Sequence, residues 1–183
     1  EFYESTKGSE WTSSSKWTDP YASHCDWKGV ECDEARRAIE LNLTSNGLSG
    51  KLSPSIAKLP FLNLMDLSDN DIKGKIPTEI GLLANLTHFK INHNDIIGIV
   101  PTELEKLQHL RLFQVHSNRF FGNIPLGLSI SHHSDNISHH SSFISDCGVP
   151  SDFVEPLKCV NCTMCCNSQG SCAPNEDTRK DTW

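Results

Sequence analysis

Asn46, Asn70, Asn94 and Asn118 stand 24 residues apart, and each is followed four residues later by glycine, at Gly50, Gly74, Gly98 and Gly122. A fixed period this short commits the chain to stacking one small unit on copies of itself. Apolar positions keep the same register, at Leu41, Leu43 and Leu48, then Met65, Leu67 and Ile72, then Phe89, Ile91 and Ile96, then Phe113, Val115 and Phe120. Alternation at Met65 and Leu67 turns two side chains to one side of a short strand and leaves Leu64, Asp66 and Ser68 on the other. Asn70 falls where the chain turns away, and a side-chain amide there can bond the exposed backbone of its own and the neighbouring coil. Gly74 permits a tight or positive-φ bend. Ile76-Pro77 then opens an extended return segment that proline keeps out of strand ladders, and Ile80 and Leu83 close the core.

The segments MDLSDNDIKGKIP, FKINHNDIIGIVP and FQVHSNRFFGNIP follow the pattern L-x-x-L-x-L-x-x-N-x-L-x-G-x-I-P. They resemble the plant-type extracellular leucine-rich repeat. The resemblance implies an α/β leucine-rich-repeat solenoid, a short right-handed coil with a parallel sheet on its concave side. In the first coil, LNLTSNGLSGKLSP has Leu52-Ser53-Pro54 where Ile-Pro is expected, so a less regular return segment is predicted there. Four coils at a strand spacing of about 4.8 Å make a stack only on the order of 20 Å long.

At 183 residues, 37% hydrophobic and 21% charged, the chain suits one soluble globular domain. A net charge of -7 without a basic run argues against nucleic acid or an anionic membrane surface as partner. No transmembrane stretch is visible. The opening EFYESTKG already lies inside an amphipathic segment, so the chain is expected to begin after a removed leader or to be a fragment. Four regions follow: an N-terminal cap at 1–37, four repeats at 38–128, a Ser/His-rich insertion at 129–142 and a Cys-rich cap and tail at 143–183.

The eight cysteines avoid the repeats, with Cys25 and Cys32 before them and Cys147, Cys159, Cys162, Cys165, Cys166 and Cys172 after. Those are the two places where a repeat stack must cover its apolar ends. Sequons at Asn42, Asn85, Asn136 and Asn161 join the even cysteine count in predicting a secreted glycoprotein. CDWKGVEC resembles the N-terminal cap of the same plant-type proteins, whose paired cysteines form a disulfide, here Cys25 with Cys32. Trp11, Trp17 and Trp27 are expected to cover the first coil, with a sugar-stacking platform as the second reading. Cys159-x-x-Cys162-x-x-Cys165-Cys166 admits two readings, a metal or iron-sulfur comb of reduced thiolates or disulfides. The oxidising compartment favours three disulfides, among 15 connectivities, and no metal or cofactor is called for. D-C-G-x-P followed by C-x-x-C-x-x-C-C, with the opening YEST-x-G, resembles secreted leucine-rich-repeat proteins of diatoms and other stramenopile algae.

Between the last coil and this cap the apolar pattern fails in SISHHSDNISHHSS. The equivalent of the next strand, FISDC, begins at Phe143, which implies an insertion of about six residues against the 24-residue period. His132, His133, His139 and His140 are metal-ligand types, but nothing fixes their rings, and a solvated loop with a glycan on Asn136 is the expectation.

The outward strand positions form columns that supply the candidate ligand-binding residues Asp66, Asp69, His88, Lys90, Asn92, His93, Gln114 and His116. Asp69, His93 and Ser117 run in acid, base, nucleophile order, yet an open sheet offers neither an oxyanion hole nor a water-excluding pocket. Asp66 beside Lys90 reads as a surface ion pair. No nucleotide, zinc-protease or nucleophile-elbow motif occurs, so an enzyme is not expected. The function expected is a secreted interaction module for an extracellular protein or glycan. A matrix or filament building block, self-associating through its caps, is the alternative, and an inhibitor of a secreted hydrolase, from resemblance to plant polygalacturonase-inhibiting proteins, ranks lower.

Overall fold

A computed structural model describes residues 1–128, 142–145, 162, 164–166 and 171–174. Three residues of each repeat form a strand of the broader sheet: β2 (Ala38–Asn42, five residues in the first coil), β4 (Leu64–Asp66), β6 (His88–Lys90) and β8 (Leu112–Gln114). They pair in parallel at a constant offset of 24, Leu41 against Met65, Met65 against Phe89 and Phe89 against Phe113. A second, narrower sheet runs beside them, built from β3 (Ser49–Lys51), β5 (Asp71–Gly74), β7 (Asp95–Gly98) and β9 (Arg119–Phe120). The fold is a leucine-rich-repeat solenoid. All twelve apolar repeat positions are at most 2% exposed, and the Phe89 and Phe113 rings stack with centroids 5.4 Å apart.

Each of the first three coils returns through a five-residue 3-10 turn, Pro54–Lys58, Thr78–Leu82 or Thr102–Lys106, whose single inward side chain is Ile56, Ile80 or Leu104. The first of these is as regular as the others, contrary to the expectation drawn from Leu52-Ser53-Pro54. Ser53 takes the same extended conformation as Pro77, φ -84 and ψ 138 against -64 and 139, and its hydroxyl accepts a hydrogen bond from the Ser55 amide. A serine cap thus replaces the rigid ring, and Pro54 occupies the first position of the turn, where its missing N–H costs nothing.

The asparagines form the expected ladder. Asn70 Oδ1 accepts from the amides of Asn46 and Leu48, and its Nδ2 donates to the carbonyls of Leu43, Leu67 and Ser68. Asn94 and Asn118 repeat the pattern one and two coils on, accepting from Ile72 and Ile96. At the start of the stack Asn46 exchanges both amide bonds with the backbone of Ser13, so the cap stands in for a preceding coil. One feature was missed in the sequence. Ser45, Asp69, His93 and Ser117, each just before its asparagine, all adopt left-handed backbone with φ between 50 and 56. Asp and His tolerate this conformation through short local contacts, and the column recurs at the repeat period.

The N-terminal cap comprises a one-turn helix α1 (Phe2–Ser5) and β1 (Val30–Cys32), which pairs antiparallel with β2. Cys25 and Cys32 are disulfide-bonded. Trp11 is 6% exposed and donates its indole N–H to the Thr6 carbonyl, so the tryptophan lid over the first coil is present. Gly50, at φ +87, lies under α1, where an added Cβ would run into the Ser5 carbonyl.

At the other end β10 (Ser142–Ser145) joins β8 in parallel, followed by β11 (Met164–Cys166) and antiparallel β12 (Cys172–Pro174). Ser142 stands opposite Leu112, an offset of 30 where the repeats keep 24, which accommodates the six inserted residues. Cys166 pairs with Cys172, and Cys162 and Cys165 are disulfide-bonded as well. Cys147, Cys159, the four insertion histidines, Asn136 and Asn161 lie outside the described residues.

Candidate functional site

The broader sheet brings the candidate residues onto one face, because a side chain every second residue of β4, β6 and β8 points away from the core. His88 pairs in register with Leu112, and Lys90 lies between Asp66 and Gln114. His88, Lys90, Gln114 and His116 are half-buried, while Asp69 and His93 are exposed.

Two of the residues differ from expectation. Asp66 is only 7% exposed and Asn92 8%. Asp66 accepts from the Ser68 amide and hydroxyl and pairs with Lys90 at 3.1 Å, where the Lys90 side chain retains 29% of its accessible surface. The pair is therefore a partly buried clamp rather than a surface contact. Ser68 in turn meets Thr44 at 2.8 Å, so polar groups on this face roof one another. Asn92 Oδ1 is buried and has no hydrogen-bond partner among the described residues.

Asp69, His93 and Ser117 share the left-handed column, but the Ser117 hydroxyl lies 3.3 Å from Nδ1 of His116. His93 packs edge-on against His116 with ring centroids 5.0 Å apart. Burial, with the neighbouring His93 charge adding to it against the opposing Asp69, lowers the His116 pKa from 6.5 to about 4, so its ring is neutral near pH 7. A ring nitrogen of His116 also lies within 4.8 Å of the sulfurs of Cys166 and Cys172, and His24 sits likewise against Cys25 and Cys32. In both sets the sulfurs are joined in disulfides and present no thiolate to an ion. The contact of His116 with the C-terminal cap had no signal in the sequence, because the 24-residue period fails between the two.

Asn42 is exposed at the end of β2 and Asn85 is exposed on the return side, its Nδ2 donating to the Pro60 carbonyl. Among the described residues no helix is long and apolar enough to cross a membrane.

The family model described as Leucine Rich Repeat matches residues 38–59 and 61–83. Among curated proteins, the chain is 46% identical over 50 residues to the LRR receptor-like serine/threonine-protein kinase SIK1 of Oryza sativa subsp. japonica, which is 27% of this chain and 5% of that one. The ectodomain of BIR2 from Arabidopsis thaliana superposes with a TM-score of 0.61 at 29% identity, over 68% of this chain and 69% of that chain. The LRR ectodomain of the receptor kinase GASSHO1/SCHENGEN3 from Arabidopsis thaliana, solved in complex with CASPARIAN STRIP INTEGRITY FACTOR 2, gives 0.60 at 34%, over 62% of this chain and 14% of that chain. The chain thus carries leucine-rich repeats similar to those of plant receptor-kinase ectodomains and spans a small part of the curated relatives it matches.

Proposed function

We propose that this protein is an extracellular, non-enzymatic interaction module that binds a protein or peptide on the polar face of its broader sheet. The carrying observation is the register-locked arrangement of that face. Asp66 fixes Lys90, while His88, Gln114 and His116 stand half-exposed around it and Asp69 and His93 border it. Such a surface is preorganised, so little side-chain entropy remains to be lost on binding. The likeness to ectodomains, one of them solved with the CASPARIAN STRIP INTEGRITY FACTOR 2 bound, supports the same reading and an extracellular setting. A glycan on Asn42 would project over the first-coil end and direct contacts toward the later coils, whereas one on Asn85 would leave the face open.

The test is a binding screen of extracellular peptides and proteins against the immobilised domain, followed by the triple variant His88→Ala, Lys90→Ala, His93→Ala. Loss of the anchoring cation and two rings is expected to weaken a validated ligand at least tenfold. Unchanged affinity would remove this face from the site, and light scattering that showed open-ended assembly would favour the filament reading instead.

A further inference from the structure

A half-open cleft of about 290 Å³ lies between the N-terminal cap and the first coil, away from the polar face. Its floor is apolar, formed by Val30, Leu41 and Ile56, and Trp17 and Trp27 wall it with ring centroids 4.7 Å apart. Trp17 is anchored, its indole N–H donating to the Lys28 carbonyl at 2.9 Å. The Trp27 indole N–H differs: it is buried and has no acceptor among the described residues. Because that nitrogen is withdrawn from solvent, Trp27 lines the cleft with its ring carbons rather than with its donor.

The mouth of the cleft carries charge. Lys58 and Glu1 both line it, and the Lys58 ammonium holds the Glu1 carboxylate at 3.0 Å. Both side chains are well exposed, 74% and 65%, so their attraction is screened and the pair exchanges readily for another carboxylate. Lys58 also holds the Glu1 carboxyl below its usual range, which marks the mouth as a place where an anion is favoured. A cleft of this size, apolar inside with few polar groups at its edge, suits a ligand of about ten non-hydrogen atoms.

We propose that this cleft binds a small aromatic carboxylate. The ring lies on the aliphatic floor against the two indoles, and the carboxylate displaces Glu1 from Lys58. The site shares no residue with the polar face and stands or falls without it.

Phenylacetate is the probe, compared by calorimetry and ligand-observed NMR with phenethylamine and 2-phenylethanol, which keep the ring and change the head group. Phenylacetate is expected to bind once per chain, with an affinity on the order of 0.1–1 mM and ahead of both comparators. Glu1→Gln removes the competing carboxylate and should tighten binding about threefold, and Lys58→Gln should weaken it about fivefold. Trp27→Ala removes one of the two indole walls, with about a fivefold to tenfold loss expected. Lys58 is exposed enough that its variant tests the site even if Trp27→Ala fails to fold. The triple variant of the polar face should bind phenylacetate unchanged. Absence of saturable binding, preference for the amine, or indifference to Glu1→Gln and Lys58→Gln would each overturn the proposal.

Discussion

Replacing Asn70 by alanine separates two accounts of the amide ladder, one in which it satisfies the turn and one in which it merely fills space. Asn70 Oδ1 is the acceptor for two backbone amides, Asn46 N at 3.0 Å and Leu48 N at 2.9 Å. Of the three carbonyls it serves, Ser68 also accepts from Ser45 N and Leu67 also accepts from Asn94 Nδ2. Leu43 O is left with Asn70 as its donor among the described residues. Alanine therefore strands two N–H groups and one carbonyl, and at about 1–3 kcal/mol for each buried orphan the loss is about 3–9 kcal/mol. Asn94→Ala is the internal control, since Asn94 Oδ1 serves the single amide of Ile72, and its Ile91 carbonyl keeps the bond from Asn118 Nδ2. It strands two groups fewer than Asn70→Ala and should cost less by about 2–6 kcal/mol. Urea denaturation of both variants, compared at equal m-value, measures the difference. If Asn94→Ala proves as damaging as Asn70→Ala, or if either costs less than about 1 kcal/mol, counting stranded groups does not describe this ladder.

Further outcomes follow from other contacts. Since the folded-state pKa of His116 is about 4 against 6.5, the unfolded chain takes up the proton first, and stability should fall as pH drops from about 6.5 toward 4. A shift of that size corresponds to about 3 kcal/mol, and about 1–2 kcal/mol is expected because the ring keeps solvent contact; His116→Gln should flatten the melting-temperature profile across that window. Gly50→Ala sets a Cβ against the Ser5 carbonyl at φ +87 and should cost about 2 kcal/mol or more, whereas Gly122→Ala, facing only the Ile99 methyl at 3.4 Å, should cost about 1 kcal/mol in the same assay. Serine at both Cys25 and Cys32 should lower stability by about 2–3 kcal/mol in denaturant melts, with reducing agent reproducing the loss in the parent chain.

The repeat core was legible because its information is periodic: one alternation at Met65 and Leu67 fixes which side of every strand is buried. The role of the asparagines was legible for the same reason, since an amide is the side chain that serves both backbone donors and acceptors at one turn. The first return segment was misjudged because the proline was read as the turn's signature. The extended conformation at its start is what matters, and Ser53 supplies it with a hydroxyl cap. On the polar face, periodicity indicated that Asp66 and Asn92 point away from the core. It carried no information on lateral packing, which buries Asp66 beneath Lys90 and Ser68. The tryptophans were legible as a lid, but the cleft they leave depends on how Trp17, Trp27 and the strands of the first coil fit together in space.

Each asparagine reaches backward, to amides belonging to the coil made before it. This set of side-chain bonds has a direction: the amide two residues after Asn46, Asn70 and Asn94 is capped by the asparagine of the following coil. During synthesis the amides of Leu48 wait for residue 70 to leave the ribosome, and those of Ile72 wait for residue 94, so closure trails elongation by one repeat. Shortening the protein from its carboxyl end would strand the newest coil's amides, whereas the opening coil is already served by Asn70 ahead of it and by Ser13 behind.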